Sequence, residues 1–212
     1  MRELVGLLCE AELTAKGLSS SAVTYGGNQR APDGGLDVRV ALPIGAVTEG
    51  FIPKSSVGFQ VKTPDMRRAN ILAEMKPKGL LRPAILELAS EAGAYIIVSS
   101  KASTSNTALG NRRDAMREAL SGASNAADLS TDFYDRTRLA SWVRLYPGLI
   151  AWVKTRAGRA VPGWQPYGSW AGGDEPQAEY LLDEHLRVRW GGKKHSTTNT
   201  ALAAVRAMAK SW

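Results

Sequence analysis

Asp37 and the triplet Gln60-Val61-Lys62, with 22 residues between them, are the residues of this 212-residue chain whose types and spacing suit chemistry. Asp37 closes the stretch Ala31-Pro32-Asp33-Gly34-Gly35-Leu36-Asp37 and opens the alternation Val38, Arg39, Val40, which reads as a strand. Val57 to Lys62 reads as a second strand, ended by Pro64. In Gln-Val-Lys the first and third side chains point to the same face of a sheet. If the two strands pair with Asp37 on that face, a carboxylate, an amide oxygen and an ammonium converge. Such a set suits metal-assisted hydrolysis of a phosphodiester. Mg2+ (or Mn2+) takes hard oxygen ligands, and Asp37, Gln60 and the Val61 carbonyl can supply three. The ion stabilises charge on phosphate and acidifies water. Lys62 orients that water or offsets charge in the transition state. Gly34 and Gly35 permit a tight turn and leave room for a phosphate. Asp33 is a turn residue or an outer support, since Asp37 has the strand context.

The elements that must hold these residues follow from periodicity. Residues 2–17 read as an amphipathic helix with Leu4, Leu7, Leu8, Ala11 and Ala15 on its apolar side. Ser21 to Tyr25 is a short strand, Leu36 to Leu42 the next, and Pro43 to Pro53 a Gly/Pro-punctuated connection. Met66 to Lys78 is a basic helical zone, and Pro83 starts a helix through Ala92. Ala94 to Ser99 is apolar almost throughout, as a strand buried on both faces would be. A helix over 107–120, a strand over 129–134 and a helix over 137–157, interrupted at Pro147-Gly148, complete an α/β domain with a mixed central sheet flanked by helices. The expected domains are 1–160 and a Trp/Gly/Pro-rich extension or linker, 161–212, with an irregular segment at 162–176 and a terminal helix at 197–212. All six tryptophans fall within residues 142–212, where core packing is the expected use and base stacking the alternative.

Asp33-Gly34-Gly35-Leu36-Asp37 with Gln60-Val61-Lys62 resembles the motif of Mrr-type restriction endonucleases, a branch of the PD-(D/E)xK nuclease superfamily in which glutamine often replaces the acidic residue before the lysine. The resemblance covers roughly residues 1–135, with motifs only in 33–62. It implies a restriction-endonuclease-like core in the order α-β-β-β-α-β. It implies Asp37 as metal ligand, Gln60 as second ligand or positioner, and Lys62 as catalytic lysine. The family also tends to place a glutamate on the first helix; Glu3, Glu10 and Glu12 are candidates, with Glu12 or Glu10 preferred. The runs Asp132 to Arg138 and Pro162 to Tyr167 resemble segments joining such a nuclease to the ATPase of very large bacterial antiviral defence proteins. The expectation is a Mg2+-dependent endonuclease acting on double-stranded DNA, a homo-oligomer when active or part of a longer ATPase chain. The alternatives are a nucleic-acid-binding module that does not cut and an interaction domain of a larger assembly.

Composition sets outer bounds. The formal net charge is +7. Residues 1–100 carry 11 basic and 10 acidic side chains, and residues 101–212 carry 16 and 10. A polyanionic partner fits the excess, and a solvated basic surface is the bland reading. Arg67, Arg68, Lys76, Lys78 and Arg82 form a basic zone just after Lys62 and are candidate phosphate contacts. Ser99, Ser100 and Lys101 end a strand and either touch phosphate or cap a loop. The lone Cys9 excludes an internal disulfide and reads as core. The absence of a signal peptide and of a membrane-length apolar run makes a cytoplasmic location the expectation. No phosphate-binding G-x-x-x-x-G-K-[ST] loop occurs.

Overall fold

The fold is that of a computed structural model, which describes residues 1–26, 36–43, 45, 46, 48–123 and 126–159, with the backbone of 187–190 and 193–196. Asp33, Gly34, Gly35, the segment 162–176 and the expected terminal helix 197–212 lie outside the described residues. The chain divides into two compact units, Met1–Pro166 and Tyr167–Trp212. In the second unit, β6 (Arg187–Trp190) and β7 (Lys193–Ser196) pair antiparallel with Arg187 opposite Ser196. The sequence pattern predicts no strand there.

The first unit runs α1 (Arg2–Ala15), β1 (Val23–Tyr25), β2 (Val38–Ala41), β3 (Ser56–Lys62), α2 (Arg68–Met75), α3 (Pro83–Ser90), β4 (Ala94–Ser99), α4 (Asn106–Leu120), β5 (Ser130–Tyr134), α5 (Arg136–Arg144) and α6 (Pro147–Arg156). A five-stranded mixed sheet in the order β1-β2-β3-β4-β5 lies between helices. β2 is antiparallel to both neighbours, while β3, β4 and β5 are mutually parallel. Local chemistry sets the boundaries. Pro83 and Pro147 each occupy the first turn of a helix, where the missing N–H costs nothing. The Asp135 carboxylate accepts from the Arg138 N–H at 2.9 Å and caps α5. Among the described residues, no helix is long and apolar enough to cross a membrane.

Each face of the sheet has its own core. On one, Val38, Val40, Val57, Phe59, Ile96, Val98 and Tyr134 pack against Leu4, Val5, Leu8, Cys9 and Leu13 of α1 and against Leu139 and Trp142 of α5. On the other, Tyr95, Ile97 and Phe133 pack against Ile71 and Met75 of α2, Ile85 and Leu88 of α3, and Ala115, Met116 and Ala119 of α4. Both faces of β4 are covered, so all six of its residues are buried. Gln60 pairs with Ile97 and Lys62 with Ser99, which puts Gln60 and Lys62 on the face covered by α2 to α4. A first-helix glutamate serving the site requires α1 to pass near that same face; α1 packs on the opposite one.

Candidate functional site

Asp37 is the residue immediately before β2. Val38 is the ladder partner of Phe59, yet the Asp37 N–H also goes to the Phe59 carbonyl at 2.9 Å. Two residues of one strand therefore oppose one of the next, the step of a β-bulge, which re-aims a side chain. The Asp37 carboxylate turns over the end of β2 and takes the place of a ladder carbonyl. Its Oδ2 accepts from the Val61 N–H at 2.7 Å and from the Gln60 Nε2 at 2.9 Å. Its Oδ1 accepts twice from Arg2, from Nε at 2.8 Å and from Nη2 at 2.5 Å. The Val61 carbonyl leaves β3 on the same edge as its N–H. Asp37, Gln60 and Val61 thus come together across the edge of the sheet rather than by simple alternation on one face.

Lys62 shares the Gln60 face, and its Nζ lies 2.8 Å from Oε2 of Glu74 on α2. Oε1 of Glu74 accepts from Arg82 Nη2 at 2.9 Å, and the Glu74 carbonyl accepts from Arg82 Nε at 2.6 Å. Tyr95, fully buried beside Gly58, completes the group. Burial first, and the Glu74 carboxylate next, raise the pKa of its hydroxyl. Among the described residues the hydroxyl has no hydrogen-bond partner, and neither has Gln60 Oε1, although Gln60 is only 7% exposed. Glu74, Tyr95 and Arg2 were missed in the sequence, and Arg82 reads there only as part of the basic zone after Lys62. Glu74 had one readable signal: three residues after buried Ile71 and next to buried Met75, it is an acid on the flank of an apolar helix face.

The first-helix glutamates do not join this group. Glu12 is buried, and its Oε1 accepts from the Phe51 N–H at 3.2 Å and from Lys16 at 2.9 Å. Ten residues of helix, about 15 Å at 1.5 Å per residue, separate it from Arg2. Glu10 lies against the Tyr25 hydroxyl, whose pKa is raised by burial and then by the Glu10 charge. Glu3 pairs with Arg156 at 3.2 Å. The motif argument placed an acid on α1; the partly buried acid of this site lies on α2, because α1 crosses the other face.

The basic zone is less free than its composition suggested. Arg68 pairs with Glu118 through Nε at 2.9 Å, and Lys76 donates to the Ser121 carbonyl at 3.4 Å. Arg67 and Lys78 are exposed. Ser99 is a structural cap: its hydroxyl donates to the Pro64 carbonyl at 2.8 Å and accepts from the Ala102 N–H at 3.2 Å. Cys9 is buried core, its thiol pKa raised by burial and then by Glu12. Trp142 is fully buried, in line with the packing use.

The donor set fits a hard divalent cation. Asp37 offers a carboxylate, Val61 a carbonyl, and Gln60 an amide whose oxygen is buried without a partner. Half a turn of that amide exchanges Nε2 for Oε1 beside Asp37. Among the described residues no three Asp, Glu, His or Cys side chains converge. A cation here would accordingly rest on one carboxylate, neutral oxygens, water and substrate. Comparison with protein-family models, curated proteins and solved structures gives no match.

Proposed function

We propose that this chain is a metal-dependent endonuclease acting on DNA, with a core of the restriction-endonuclease type. The observation that carries the reading is the meeting of Asp37 with Gln60 and the Val61 backbone beside Lys62. The order of elements supports it: a helix, three strands of which the second is antiparallel to the others, helices and a parallel strand, with the aspartate at the start of the second strand. The proposed setting is restriction or antiviral defence, within a larger assembly.

When bound, Mg2+ or Mn2+ supplies charge stabilisation at the scissile phosphate and acidifies water. Asp37, Gln60 and the Val61 carbonyl would hold it. Lys62 sits at the mouth of the site, where its ammonium donates to a phosphate oxygen or to the attacking water. Glu74 keeps that ammonium in place and balances it until substrate arrives. Arg82, tied to Glu74 twice, fixes the carboxylate and adds positive charge near the phosphate path.

The test is cleavage of linear duplex DNA, single-stranded DNA and RNA with Mg2+ or Mn2+, by the wild type and by Lys62→Ala and Asp37→Asn. Duplex cleavage lost in both variants, with unchanged circular dichroism, is the expected result. Equal cutting with and without Lys62 would sink the assignment. A second reading, a nucleic-acid-binding module that does not cut, is favoured by one observation: both Asp37 oxygens already accept N–H donors. It predicts retention of DNA that falls steeply with salt and has no divalent requirement.

A further inference from the structure

We propose that Arg2 gates the cation site: its guanidinium holds Asp37 when no cation is bound and must leave before one enters. The inference rests on reading Asp37 and Gln60 as cation ligands. An ionised carboxylate offers about four lone-pair positions. At Asp37 all four are engaged, two on Oδ1 by Arg2 and two on Oδ2 by Gln60 and Val61.

The three donors are not equally removable. The Val61 N–H belongs to β3 and cannot turn away. The Gln60 amide can rotate, and it then presents the oxygen that has no partner among the described residues. That rotation frees one position on Oδ2 but leaves a guanidinium within 3 Å of the same carboxylate. A divalent cation beside it meets direct like-charge repulsion in a site where Asp37 is only 10% exposed and water screens little. Arg2 is the donor free to go. It stands on the first residue of α1, its side chain is 28% exposed, and Asp37 is its one hydrogen-bond partner among the described residues. Cation and guanidinium therefore compete for one carboxylate, and the N-terminal turn of α1 reports which of them holds it.

The experiment is calorimetric titration of Mn2+ into the full chain, as wild type, Arg2→Gln, Arg2→Lys and Asp37→Asn, at one ionic strength. Removing a competing charged donor tightens Mn2+ binding on the order of tenfold in Arg2→Gln. Arg2→Lys, which keeps the charge and loses the planar fork, falls between that variant and the wild type. Asp37→Asn loses binding. Mn2+ affinity unchanged or weaker in Arg2→Gln, with binding still lost in Asp37→Asn, overturns the gate and leaves the cation site standing, since Arg2 would then orient Asp37 for the ion. No binding by any variant overturns the gate together with the cation reading. Arg2→Lys keeps the test open if Arg2→Gln loosens the helix.

Discussion

Glu74 pairs with Lys62 through one oxygen and accepts from Arg82 on the other, so a single acid holds two cations. At 14% exposed it is only partly screened, and a neutral glutamine would leave Lys62 without its counter-charge. A double-mutant cycle with Lys62→Met and Glu74→Gln should give a coupling of about 0.5–2 kcal/mol in urea denaturation. Strictly additive effects would show that the pair contributes nothing to stability. A second carboxylate makes the pH dependence of the fold legible. Burial works against the Asp135 charge, but hydrogen bonds from the Arg138 N–H, from Thr104 and from the Thr137 N–H hold its pKa below the usual aspartate value. A depressed folded-state pKa adds stability above the unfolded value, about 3.9, and loses it as pH falls through the folded value. Asp135→Asn, whose amide nitrogen cannot accept from Thr104, should therefore be less stable than the wild type by about 1 kcal/mol near neutral pH. The gap should close as pH drops below about 4. A gap that widens in acid would reverse the assignment.

At the scale of elements, the pairing of β3 decides where Gln60 and Lys62 point. Gly58 lies two residues before Gln60, and a Cβ there would come within 2.6 Å of both Leu36 and Leu88. Leu88 is fully buried on α3, so either the strand or the two leucine side chains must shift to make room. Gly58→Ala should cost about 1–3 kcal/mol in chemical denaturation. It should also disturb the Gln60–Asp37 hydrogen bond, visible as a shifted Gln60 side-chain amide resonance. Full stability with an unchanged amide signal would mean that the neighbouring leucines repack freely. The outer edge of β5 is managed in another way. The Phe133 N–H donates to its neighbour Asp132 Oδ1 at 2.7 Å, which removes one donor from an edge strand that would otherwise recruit another chain.

For the whole molecule, every buried residue of both described cores lies between Leu4 and Trp142. A chain ended after Pro166 should fold on its own, with one cooperative thermal transition and a near-ultraviolet signal from buried Trp142 and Tyr134. A molten, dye-binding product from that truncation would show that the first unit does not stand alone. The charge excess sits in the same unit, where residues 101–159 carry ten basic and five acidic side chains. Arg136, Arg144, Lys154 and Arg159 are exposed there. Sensitivity of nucleic-acid binding to salt would therefore reflect α5 and α6 as well as the zone after Lys62.

Periodicity alone determined that β4 is central, that β2 and β3 flank an irregular connection, and that a helix precedes them. An all-apolar run, a period-two run and a period near 3.6 each satisfy a different pattern of burial. The residue types of Asp37 and Gln60 likewise marked a place where a carboxylate and an amide meet. The partners around them were decided by tertiary structure. Which face α1 covers depends on how its apolar stripe packs on the twisted sheet, and that choice removed Glu10 and Glu12 from the site and brought Arg2 to it. The bulge at Asp37 depends on two strands meeting one residue out of step. Glu74 lies 12 residues beyond Lys62 in the chain and 2.8 Å from it in space, because α2 folds back over the strand that precedes it. Sequence spacing along one strand carries side-chain direction. Contact between elements depends on where their apolar faces are buried, and only the folded chain settles that.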